Sequence, residues 1–89
     1  MILKNEQEKA NKMIENWLKE IQPDCEIEEW KYYKFEYIKI RLTIEGKMKI
    51  INISWENFED VRDCKNWETS YGKDLKQKLK QYLKNQLNN

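Results

Sequence analysis

Histidine, the usual general base at neutral pH, is absent from all 89 residues of this chain. Cys25 and Cys64 are the only thiols, and they lie far apart with no C-x-x-C spacing. Two thiols without a histidine cannot complete a four-ligand zinc set, so no metal site is expected. Two reduced cysteines are the expected state, with a single disulfide as the alternative. A cysteine nucleophile would need a neighbouring base or a strongly positive setting, and the sequence marks neither. The carboxylate pairs Glu28-Glu29 and Glu59-Asp60 sit in charged stretches and read as solvated surface acids. Gly46 and Gly72 are the only glycines, which leaves little from which to build a phosphate-cradling loop. No G-x-S-x-G, P-loop, H-E-x-x-H or G-x-G-x-x-G occurs. The expectation is a protein without catalytic activity and without a cofactor.

The side chains suited to binding are more numerous. Four Trp, five Tyr and two Phe supply bulky, rigid contact area. Trp17 and Trp55 fit apolar stripes, whereas Trp30 and Trp67 fit no clean period and are flanked by charge. They are therefore candidate anchors for a protein partner, with Tyr33 and Tyr37 as secondary anchors. The competing reading makes Trp30 and Trp67 the rim of a small core. A second constellation is basic and aromatic. Tyr37, Lys39 and Arg41, joined by Lys47 and Lys49 from a neighbouring strand, would suit stacked bases and phosphates. On the last helix Lys73, Lys76, Lys80 and Lys84 lie along one side and form a further candidate phosphate contact. The competing reading is a solvated face. Nearly all bases are Lys, with abundant Asn and Ile, a pattern that an AT-rich coding sequence would produce without selection for an anionic partner.

Bulk charge narrows the partners further. The formal net charge is +1, which excludes a strongly acidic DNA mimic and a protein basic overall. Charge instead alternates in blocks: residues 1–30 carry eight acids and four bases, and residues 31–50 carry six bases and two acids. No apolar run is long enough to cross a bilayer, and the first residues lack the apolar core of a secretory signal. No membrane association and a cytoplasmic location are expected.

The elements that must position these groups follow from apolar spacing. Ala10, Met13, Ile14, Trp17, Leu18 and Ile21 form a helical stripe, predicting a helix over about residues 5 to 21. Asn5 would cap it and Pro23 would end it. Ile38, Ile40, Leu42 and Ile44 alternate with polar residues and predict a half-buried strand. Residues 25 to 45 as one strand would reach roughly 66 Å, whereas a domain this size is only roughly 30 Å across. The chain must therefore reverse between Trp30 and Glu36. A first strand is predicted near 26 to 32, a break near Tyr33-Lys34 that tucks Phe35 inside, and a second strand from 36 to 45. Register favours a three-residue Glu45-Gly46-Lys47 loop that pairs Ile44 with Met48 and Leu42 with Ile50. A bulge at Ile50-Ile51 then places Ile40 opposite Ile53 and Ile38 opposite Trp55. Phe58, Val61 and Cys64 predict a short helix over 56 to 65. Tyr71-Gly72 reads as a connector, and Leu75, Leu79, Tyr82, Leu83 and Leu87 predict a last helix over 73 to 87.

The expected fold is a single α+β domain spanning 1–89, in the order αβββαα, with helices packed on one face of a three-stranded antiparallel sheet. That order is similar to the architecture of double-stranded RNA-binding domains. Gly72-Lys73-Asp74-Leu75-Lys76, at the start of the last helix, lacks the closely spaced lysines of those domains, and no family is assigned. The expected function is a small non-catalytic protein-binding module, an inhibitor or regulator that acts by occluding its partner. The alternative is a nucleic-acid binder. A bacterial, phage or mobile-element origin fits the composition. The oligomeric state is left open.

Overall fold

A computed structural model describes residues 2–88, with side chains from Glu6 onward. Helix α1 (Ile2–Ile21) buries Ala10, Ile14, Trp17 and Leu18 along its predicted stripe. It begins at Ile2, so Asn5 lies within the helix rather than at its cap. Its last turn closes with Gln22 N–H donating to Leu18 O at 2.8 Å, immediately before Pro23.

Three antiparallel strands follow, β1 (Cys25–Tyr33), β2 (Tyr37–Ile44) and β3 (Lys47–Ser54), in the order β1-β2-β3. The reversal falls at residues 34–36, where Glu36 N–H donates to Tyr33 O at 2.9 Å. Phe35 takes a left-handed φ of 67° at the third position of this turn. It is not tucked inside but 73% exposed, because the turn projects it past the sheet end.

The second hairpin corrects the predicted register. Its loop is the two-residue Glu45-Gly46, and Ile44 pairs with Lys47, Leu42 with Lys49, Ile40 with Ile51 and Ile38 with Ile53. Glu45 and Gly46 both hold positive φ, 52° and 79°, as a type I′ turn requires. That turn matches the twist of the flanking strands, which a longer loop does less well. No bulge occurs at Ile50-Ile51, and Trp55 leaves the sheet to begin the next helix. The irregularity lies instead in β1, between Ile27 and Glu29, where Glu28 is the extra residue.

Helix α2 (Trp55–Asp63) is capped by Ser54, whose hydroxyl accepts from Asn57 N–H at 3.2 Å. Helix α3 (Ser70–Leu87) starts earlier than predicted, because Thr69 caps it by accepting from Gly72 N–H at 3.0 Å. Tyr71 and Gly72 are thus its first turn and not a connector. Ile38, Ile40, Leu42, Ile51 and Ile53 face the helices and form one buried cluster with Trp17, Phe58, Val61, Leu79 and Leu83. Each such side chain contributes about 1.5–3 kcal/mol by leaving water. The radius of gyration is 12.8 Å, and the buried side chains among the described residues form one cluster.

Candidate functional site

Alternation along the strands decides which residues face away from the helices. Successive side chains point to opposite faces, and cross-strand partners share a face. The helix-free face is therefore built of four rows. Tyr33, Tyr37 and Ser54 form the first, and Lys31, Lys39 and Asn52 the second. Glu29, Arg41 and Ile50 form the third, and Glu26, Thr43 and Met48 the fourth. The Tyr33 and Tyr37 rings stack with centroids 4.7 Å apart and planes 23° apart. Arg41 Nε lies 3.5 Å from Glu29 Oε1, with both side chains about half exposed. A pair this exposed fixes orientation more than it stabilises. Ile50 is 41% exposed and Met48 65%, so aliphatic surface lies open beside that pair. These two residues were not recognised as candidates, because the predicted register turned them inward.

The 34–36 turn closes the tyrosine end of the sheet and leans toward α2. Phe35 meets Trp55 edge-on at 5.9 Å, and Lys34 Nζ sits 5.1 Å above the Phe35 ring. Holding a bulky residue at positive φ costs on the order of 1 kcal/mol, and such strain concentrates at functional surfaces.

The candidate tryptophans lie elsewhere. Trp30 is half-buried on the helix side of β1, where its Nε1 donates to Glu15 Oε2 at 3.3 Å. Its ring stacks on Tyr32 at 6.4 Å. Trp67 is half-buried beyond α2 and packs edge-on against Trp17 at 5.4 Å. Both line the rim of the core, and neither joins Tyr33 and Tyr37 on one surface.

The basic residues are divided as well. Tyr37, Lys39 and Arg41 occupy the helix-free face. Lys47 and Lys49 pair with Ile44 and Leu42, so the two-residue loop turns them to the other side, contrary to expectation. Lys73, Lys76, Lys80 and Lys84 line a groove of about 630 Å³ between α3 and the end of α1, together with Glu20 and Ile21. Within it Lys80 Nζ pairs with Glu20 Oε1 at 3.0 Å, and Lys80 holds the Glu20 carboxyl below the usual carboxylate range.

Both cysteines are free thiols. Burial pushes the Cys25 thiol above its ordinary value of 9.0, which makes it a poor nucleophile. The same shift fixes a pH dependence. In the unfolded chain this thiol ionises near 9.0, whereas the folded one stays protonated to higher pH. Its contribution to stability is therefore complete below that value and is lost as pH rises toward the folded pKa. Urea midpoints measured across the alkaline range should fall in the native chain. They should fall less in Cys25→Ala; equal slopes would show that Cys25 titrates alike in both states. Among the described residues no group of three or more Cys, Asp or Glu is arranged to hold a metal ion. No described helix is long and apolar enough to cross a membrane.

No family model, no curated protein and no solved structure matches this chain.

Proposed function

We propose that this domain is a non-catalytic protein-binding module that docks through the helix-free face of its sheet and regulates or inhibits its partner by occlusion. One observation carries the reading. A face that no helix covers presents Met48 and Ile50 to solvent, next to Arg41 and the stacked Tyr33-Tyr37 pair. Methionine, tyrosine and arginine are enriched at the centres of protein interfaces, where rigid rings supply contact area at low entropic cost. Glu26, Glu29, Lys31 and Lys39 supply a polar rim. Trp30 and Trp67, packed against the core, serve this face only by supporting the fold.

The experiment is capture of host proteins with the native domain and with an Ile50→Lys/Tyr37→Ala variant. Wild-type stability of the variant is checked first by urea unfolding. The reading expects one or more captured proteins to be lost with the variant. An unchanged set would remove this face from consideration.

A second reading, a nucleic-acid binder, is favoured by the alignment of Lys73, Lys76, Lys80 and Lys84 along one groove. Its affinity would fall steeply with salt. Absence of a mobility shift with mixed DNA and RNA at low salt and micromolar protein would remove it.

A further inference from the structure

The two edges of the sheet are not equivalent. A two-residue hairpin closes on a hydrogen-bonded pair, here Ile44-Lys47. By alternation, Ile38, Ile40, Leu42 and Ile44 then bond to β3, and Tyr37, Lys39, Arg41 and Thr43 bond to β1. The outward backbone groups on β3 belong to Met48, Ile50 and Asn52. On β1, above the bulge, they belong to Trp30 and Tyr32. The β3 edge is closed toward its C-terminal end, at Asn52, while Met48 and Ile50 are left open: Gln86 Oε1 accepts from Asn52 N–H at 2.8 Å, and Gln86 Nε2 donates to Asn52 O at 2.5 Å. Tyr82 Oη donates to the same carbonyl at 3.0 Å. One glutamine thus occupies the place of a fourth strand. Among the described residues nothing caps Trp30 or Tyr32 in this way. Such an edge is a template for another strand.

We infer that β1 pairs antiparallel with β1 of a second copy, about a two-fold axis at Trp30, joining two sheets into one of six strands. An axis at Tyr32 would carry Trp30 past the end of the partner strand, opposite residue 34, and charge decides between the two registers that remain. An axis at Lys31 places Lys31 directly opposite its own copy, and like charges in that position repel. An axis at Trp30 places Lys31 opposite Glu29 of the second copy, and Glu29 opposite its Lys31. Two cross-strand ion pairs then form on the helix-free face, and the two Trp30 rings meet at the centre of the helix side. The bulge at Glu28 and the acids Glu26 and Glu28 limit pairing beyond this segment. The contact is therefore small, and association is concentration-dependent. It shares Glu29 and Lys31 with the rim of the docking face but not Met48, Ile50, Tyr33 or Tyr37, so the Ile50→Lys/Tyr37→Ala variant should still self-associate, and that separates the two proposals.

Sedimentation equilibrium tests it, with amide exchange of Trp30 as the local readout. Its amide should gain protection as concentration rises, while the Lys31 amide, already bonded to β2, should not change. Lys31→Glu should weaken the dimer by about tenfold or more. It should not unfold the monomer, since Lys31 faces Lys39 across β2. The exchange Glu29→Lys/Lys31→Glu should restore the dimer. A native chain that stays monomeric to about 1 mM overturns the proposal. So does a dimer indifferent to Lys31→Glu. Protection of Trp30 by a different protein, with no self-association, would assign the edge to a foreign strand and also overturn it.

Discussion

Phe58→Ala is expected to cost about 3–5 kcal/mol, measured by urea unfolding followed through tryptophan fluorescence. A domain of this length holds roughly 5–13 kcal/mol in all, so the variant should be marginally folded. Phe58 is fully buried on α2. Its ring lies 5.6 Å from Trp55 and 6.1 Å from Tyr32. It therefore ties the end of β3, the free edge of β1 and the second helix to one point. Removing the ring leaves a cavity whose walls are strands and helices that cannot collapse inward without breaking register. Phe58→Leu keeps most of the volume and should cost well under half as much. A loss below about 1 kcal/mol for the alanine variant would mean that α2 does not pack as described.

Gly72→Ala is the second large effect. Gly72 is buried in the first turn of α3, against the 66–67 backbone. An added Cβ would lie 2.5 Å from Asn66 O, 2.6 Å from Trp67 Cα and 2.9 Å from Trp67 C. All three are backbone atoms, so no side-chain rotation relieves the clash. Overpacking of this kind costs about 1–3 kcal/mol, and the better helix propensity of alanine offsets up to about 1 kcal/mol of that. The net result should be destabilisation. Since the clash displaces Trp67 from its edge-on contact with Trp17, the near-ultraviolet tryptophan signal should change with it. A variant of native or higher stability would show that α3 starts elsewhere.

Apolar spacing made α1, α3 and β2 legible, because their buried faces keep strict periods of 3.6 and 2. The reversal before Tyr37 was legible from length alone. The second hairpin was misread for a physical reason. Glu45-Gly46 lacks the asparagine that usually marks a type I′ turn, and Met48 and Ile50 reward any register that buries them. The assumption that apolar residues point inward failed on these two residues, and they define the open face. Local patterning that conflicts with the fold is expected where function constrains the sequence. Tyr33 and Tyr37 were legible as sheet aromatics, but their stacking depends on the exact length of the 34–36 turn. Gln86 capping Asn52 was not legible, since a polar residue on a helix shows no partner until the helix is docked. Trp30 and Trp67 were singled out by their charged neighbours, yet chain neighbours on a strand or loop do not report what lies across the core.

The most direct measurement of the central claim is side-chain NMR of the domain with and without a captured partner. Shifts are expected at the Met48 and Ile50 methyls and the Tyr33 and Tyr37 rings, with the lysine side chains of α3 unchanged. Shifts confined to the lysine face of α3 would contradict the account.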